Sequence, residues 1–185
     1  MKEKQFENSE KAKQIASFKL PRYEELAKFD LIMNQMVDFL DEYLAVFVVP
    51  GEEKTLTSSM INNYVFKHVI APPNQKKYSR GHIAHLLVIG ILKQVLSISD
   101  IAEIISAQLK QYEISIAYNY FCEELENALR VTFDGRDFGE IANVVPTKVT
   151  PLSKKVRSAV LSFANKIYVK QSIYFDLHIA GKKLA

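Results

Sequence analysis

The sequence is short of the features on which several function classes depend. A single cysteine, Cys122, excludes an internal disulfide framework and most cysteine-based zinc sites. Only six glycines are scattered through 185 residues, so there is no phosphate-cradling glycine loop. Neither an H-E-x-x-H helix nor a G-x-S-x-G elbow occurs, and no other catalytic arrangement stands out. The most apolar run, Ile83 to Leu92, is interrupted by His85 and Gly90 and is too short to span a bilayer. Met1 to Lys13 carries charges of both signs and lacks the apolar stretch of a signal peptide. The expectation is a non-enzymatic, cytoplasmic protein with no cofactor, no resident metal and no membrane partner.

Carboxylates are also missing from one long stretch. The totals, Lys+Arg 24 against Asp+Glu 21, suggest a nearly neutral chain. Residues 1–53 and 100–147 are acidic, with net charges of −4 and −6. Residues 54–99 hold Lys54, Lys67, Lys76, Lys77, Arg80 and Lys93 and no acidic side chain in 46 positions. Residues 148–185 carry eight basic side chains against Asp176 alone. A stretch of this length without a carboxylate points to a surface that faces an anion.

What is present is a soluble, globular composition, 48% hydrophobic, with helical periodicity throughout. Residues 1–19 form a flexible or helical lead. Asp30 is a candidate N-cap, and Met33, Met36, Val37, Leu40, Leu44 and Phe47 predict a helix over about 30–48, closed by Pro50-Gly51. A short helix follows over 57–67, capped by Thr57 or Ser58, with Ile61, Tyr64, Val65 and His68 on its buried side. Ser59, Asn62, Asn63 and Phe66, at i, i+3, i+4 and i+7, make up its opposite face. Pro72-Pro73 stops that helix, and Asn74 to Arg80 is a polar, basic segment short enough for a tight hairpin or a loop. Ser79 caps a long apolar helix over 80–96, in which Gly90 signals close helix–helix approach. Ser99 caps a short helix to about 107. A further helix over 113–131 has Ile116, Tyr120, Phe121 and Leu125 inward and Glu123, Glu124 and Glu126 outward. Residues 132–151 read as a long connection with room for a short strand, and the last helix covers about 152–177. The fold class is mostly α.

The segment 55–105 carries the most specific pattern. It runs Thr57, Met60-Ile61-Asn62-Asn63-Tyr64, Val69-Ile70-Ala71-Pro72-Pro73, Lys77-Tyr78-Ser79, then a long helix and a capped short one. This resembles the winged helix-turn-helix of the MerR family of bacterial regulators. There a recognition helix is followed by an apolar-Pro-Pro turn, a basic wing, an R-Y-S step and two more helices. The resemblance implies a MerR-like winged helix-turn-helix with a small wing over residues 20–108 and a C-terminal helical, dimerisation region over 109–185. It departs from the family at Asn62, where a phosphate-contacting Arg is usual, at Asn63, where an aromatic residue is usual, and at His68, where a Gly is common. A second resemblance covers more of the chain, about residues 20–120. Leu20-Pro21-Arg22-Tyr23-Glu24-Glu25-Leu26, Met60–Tyr64 and Lys76-Lys77-Tyr78-Ser79 resemble an uncharacterised Firmicute family, domain of unknown function 1836. That family implies bacterial origin and a domain extent, and no activity.

The expected function is that of a bacterial DNA-binding transcriptional regulator acting as a homodimer on double-stranded DNA. The alternative is a protein–protein interaction module that kept the winged-helix shape after losing DNA contacts, and the change from Arg to Asn62 motivates it. On the DNA reading, Ser59, Asn62, Asn63 and Phe66 face the groove, while Lys67, Lys76, Lys77 and Arg80 contact phosphates. Tyr78 belongs to the same segment, more as an anchor of the wing than as a base reader. His82 and His85 have metal-compatible i, i+3 spacing, but no nearby carboxylate or thiol completes a site, so surface or capping roles are favoured. The basic last helix has three readings: phosphate contact, an anionic membrane, or pairing with the acidic 113–126 helix of the same or a second chain, the last of which needs no extra partner.

Overall fold

Most helices begin where the sequence supplies a group that satisfies their first amides. The structure, a computed structural model, describes residues 5–134 and 150–180. Helix α1 spans Glu10–Ala16, α2 Met33–Leu44, α3 Ser58–Phe66, α4 Arg80–Leu92, α5 Ile98–Leu109, α6 Ile114–Phe133 and α7 Pro151–Phe175. Ser9, Thr57, Ser97 and Thr150 accept hydrogen bonds from the backbone at Ala12, Met60, Asp100 and Ser153. The predicted caps Asp30 and Ser99 give way to Ile32 and Ser97. At Ile32 the missing side-chain acceptor is replaced by Gln35, whose Oε1 takes the Ile32 amide at 3.1 Å. Two short strands, β1 (Leu31–Ile32) and β2 (Lys77–Tyr78), pair antiparallel with Leu31 opposite Tyr78. The expected connection at 132–151 falls largely outside the described residues, as does the strand considered there.

Helix α4 is the centre of the molecule. Ile83, Ala84 and every residue from Leu86 to Leu92 are buried, so it is apolar on nearly all sides rather than along one stripe. At Gly90 an added Cβ would lie 2.5 Å from Leu44 Cδ1 and 3.1 Å from Leu56 Cδ1, which accounts for the glycine in mid-helix. Helices α6 and α7 pack along each other, α1 lies on α6, and α2 on α4. The buried side chains form one cluster from Phe6 to Phe175. Phe6 joins the beginning to the end of this core, its ring lying 5.6–6.0 Å from those of Phe133, Tyr168 and Phe175. Each such aromatic contact contributes about 0.5–1.5 kcal/mol beyond its buried area.

Helix α6 corrects the periodicity reading. Ile116 is exposed, whereas Glu124 and Glu126 turn inward against arginines. Arg22 Nη1 and Nη2 donate to the two oxygens of Glu126 at 2.6 and 2.9 Å, and the Leu20 amide adds a third bond at 3.3 Å. Arg157 Nε donates to Glu124 Oε1 at 3.0 Å. Of the basic last helix, Arg157 therefore pairs with acidic α6 within the same chain, Lys170 pairs with Glu52, and Lys166 donates to the Gln94 carbonyl.

Candidate nucleic-acid interface

Helix α3 is held from beneath and at both ends. Ile61 and Tyr64 are buried and fix its inner face. At its start Thr57 Oγ1 accepts the Met60 amide at 3.3 Å. Lys93, which caps the end of α4, reaches across to donate to the Thr55 carbonyl at 2.7 Å and lies 3.1 Å from Met60 Sδ. Burial holds the Lys93 pKa below the usual lysine value. The sequence reading counted Lys93 among the basic stretch and missed this supporting role. No local pattern marks it, because its partners lie 38 and 33 residues away.

At its end α3 closes in a Schellman motif. The His68 amide donates to the Val65 carbonyl at 3.0 Å and the Val69 amide to the Tyr64 carbonyl at 2.9 Å. His68 itself takes φ 57°, the left-handed conformation that glycine adopts without strain. It is exposed, so the expectation that it marks the buried side of the helix is corrected. The cause is the chain reversal one residue after the last helical turn, which carries residue 68 off the helical face.

The hairpin that follows is equally tight. Asn74 and Lys77 exchange backbone hydrogen bonds at 3.0 and 2.8 Å. Gln75 and Lys76 between them both have positive φ, 46° and 64°. That is a two-residue type I′ turn built without the usual Asn-Gly pair. His82 braces it from α4. The Ser79 amide donates to Nδ1 at 3.0 Å, and Nε2 lies 3.1 Å from the Ala71 carbonyl, which fixes Nδ1 as acceptor and Nε2–H as donor. A histidine thus fills the capping-box place normally taken by Glu or Gln.

Ser59, Asn62, Asn63 and Lys67 are exposed, and Phe66 is 81% exposed, an unusual degree for an aromatic side chain. Among the described residues, neither Asn62 nor Asn63 makes a side-chain hydrogen bond. Lys76 and Lys77 are exposed on the hairpin. Tyr78 is only 3% exposed, with its ring 5.5 Å from that of His82, so it packs the hairpin onto the body. Arg80 is half-buried, its guanidinium 5.5 Å from the centre of the Tyr23 ring. Lys54 pairs with Asp41 at 2.9 Å. Of the six cations in residues 54–99, Lys54 pairs with a carboxylate, Arg80 with a ring and Lys93 with a backbone carbonyl, and Lys67, Lys76 and Lys77 are the three that no such group engages among the described residues.

Elsewhere the chemistry is quiet. Cys122 is buried against the Pro21 carbonyl, and desolvation pushes its thiol pKa up to about 12, well away from a reactive thiolate. A cavity of about 50 Å³ lies among α4, α5 and α6, with Val88, Leu92, Ile105 and Phe121 in its wall and His85, Gln108 and Tyr118 as its polar members. Among the described residues no cluster of three His, Cys, Asp or Glu is placed to hold a metal ion, and no helix is long and apolar enough to cross a membrane.

A family described as Domain of unknown function (DUF1836) matches residues 21–121. The matched stretch runs from the segment before β1 into α6, and so contains α3, the hairpin and α4. No curated protein and no solved structure matches the chain.

Proposed function

Because the chain belongs to the family described as Domain of unknown function (DUF1836), whose description assigns no activity, we propose a function from the residues themselves: a bacterial, non-enzymatic regulator that binds double-stranded DNA. In this reading residues 20–108 form a MerR-like winged helix-turn-helix, with α3 in the major groove and the 74–77 hairpin as its small wing. The observation that carries it is the outer face of α3. Four side chains at i, i+3, i+4 and i+7 are all exposed, all free of negative charge and mounted on a helix pinned at both ends. A major groove about 12 Å wide admits such a helix, and a polynucleotide repels any carboxylate placed against it.

Lys67, Lys76 and Lys77 supply phosphate contacts, which set register without reading sequence. Arg80 and Tyr78, engaged with Tyr23 and His82, hold the wing in place rather than reaching DNA. The chain acts in the cytoplasm as a homodimer on two half-sites, with 109–185 as the dimerisation region. Val169 and Ile173 near the end of the last helix and Leu177 in the turn that follows it, exposed at successive four-residue steps, give that contact an apolar stripe.

The test is salt-dependent binding to the duplex upstream of the protein's own gene, for the wild type and for a Lys76→Ala/Lys77→Ala variant. Loss of two phosphate contacts flattens the slope of log affinity against log salt by roughly 0.9 per contact in each subunit. An unchanged slope, or a wild type that binds no duplex, overturns the reading. Recovery of one stoichiometric protein partner free of nucleic acid would favour an interaction module instead.

A further inference from the structure

We propose that the exposed face of α3 selects A·T base pairs, with Asn62 and Asn63 reading adenine and the Phe66 ring reading the thymine methyl group. This rests on the DNA-binding reading above and goes beyond it by assigning what the face recognises.

The chemistry of the face is one-sided. A carboxamide offers one donor and one acceptor side by side, which matches the N7 acceptor and N6 donor on the major-groove edge of adenine. Guanine presents two acceptors there, N7 and O6, and calls for the paired donors of an Arg or Lys. An amide set against guanine leaves two oxygens or an oxygen and a nitrogen lone pair facing each other. Cytosine presents a lone amino donor, best met by Asp or Glu, and none occurs between Lys54 and Ser99. Both amides are free to be used: among the described residues neither is engaged within the protein, and both are exposed.

Phe66 supplies the second half of the argument. At about 100° per residue its side chain falls between those of Asn62 and Asn63 around the helix, within about 60° of each. At 81% exposure it contributes nothing to the core, so its ring stays in water unless something apolar comes against it. The thymine methyl is the apolar group that the major groove offers, and it sits across the pair from the adenine edge that the amides match. Lys67 follows one residue on, about 100° further round, on the flank where phosphates run rather than over the bases. Ser59 is short and indifferent between bases.

The experiment uses the full chain and a pool of randomised 24-base-pair duplexes, selected by binding and sequenced. The expected enriched core is A·T. In the best duplex, uracil then replaces thymine, which removes only the methyl group, and 7-deazaadenine replaces adenine, which removes the N7 acceptor. Loss of a methyl contact lowers wild-type affinity about fourfold and leaves the Phe66→Ala variant unchanged. Loss of N7 lowers wild-type affinity by roughly 5- to 100-fold and leaves unchanged the Asn62→Ala or Asn63→Ala variant whose amide read that base. An enriched G·C core, salt-sensitive binding with no enriched core, or a uracil effect of the same size in Phe66→Ala and wild type overturns the selection while DNA binding stands. Failure to bind any duplex overturns both.

Discussion

Two histidines on neighbouring elements are held in opposite ways, and each can be tested alone. His68 occupies the left-handed position that ends α3, a conformation costing roughly 1 kcal/mol for a residue with a side chain. His68→Gly should raise stability by about 0.5–1 kcal/mol, read as a rise in melting temperature, with α3 and its exposed face intact. An unchanged or lower melting temperature would mean that the imidazole makes up for the strain. His85 is half-buried in α4, its Nε2 shut off from solvent and without a hydrogen-bond partner among the described residues, and burial, helped by the neighbouring His82, lowers its pKa. The unfolded chain takes up a proton near pH 6.5 while the folded chain resists it. As the pH falls below about 6.5 the unfolded state therefore binds more protons, and stability is lost in that direction. Melting temperatures measured from pH 7.5 down to 5 should decline less steeply for His85→Gln than for the wild type. Equal declines would place the acid-sensitive group elsewhere.

Among the elements, the hairpin and α3 differ in how far local rules determine them. The type I′ turn at Gln75 and Lys76 is adopted against the preferences of both residues. What holds it is the pairing of β2 with β1 and the brace from His82 to Ala71. Lys76→Gly should relieve about 1 kcal/mol of strain and raise the melting temperature by roughly 2–4 °C. On the proposed DNA-binding reading the same change removes a phosphate contact and should weaken duplex binding at low salt, so stability and affinity move in opposite directions. A fall in both would refute the strain argument. The outer face of α3 was legible in the sequence because Ser59, Asn62, Asn63 and Phe66 follow helical spacing beside a buried Ile61 and Tyr64. The termination at His68 was not legible as such, since the hydrogen bonds of Val69 and His68 decide it and no residue type announces them when glycine is absent. In α6, Glu124 and Glu126 were assigned to solvent because periodicity treats a carboxylate as a surface marker. Their arginine partners lie 33 and 104 residues away, beyond any local pattern.

For the molecule as a whole, the alternation of charge along the chain has two structural outcomes. Where acidic and basic segments fold against each other they neutralise, as at Arg157 with Glu124 and Lys170 with Glu52, while Arg22 and Glu126 pair between the two acidic segments. In the stretch 54–99 three lysines are left facing out, and those are the ones beside the exposed α3 face in sequence and on the hairpin that follows it. The Glu126 pair also ties the segment ahead of β1 to α6 through three hydrogen bonds. Glu126→Ala leaves a half-buried guanidinium without its partner and should cost about 2 kcal/mol, a drop of roughly 4–8 °C in melting temperature. A change below about 1 °C would show that water replaces the carboxylate at no cost.

The central claim, that the exposed face of α3 enters DNA, is tested most directly by replacing that face without touching the core. The measurement is fluorescence anisotropy of a labelled duplex from upstream of the gene, titrated at fixed salt with wild type and with Asn62→Ala/Asn63→Ala/Phe66→Ala. All three side chains are exposed, so the melting temperature should stay within a few degrees of wild type. The account predicts saturable wild-type binding that the triple variant loses by at least about tenfold, down to its salt-sensitive, sequence-independent remainder. Equal affinity of the two proteins, or no wild-type binding, would contradict it.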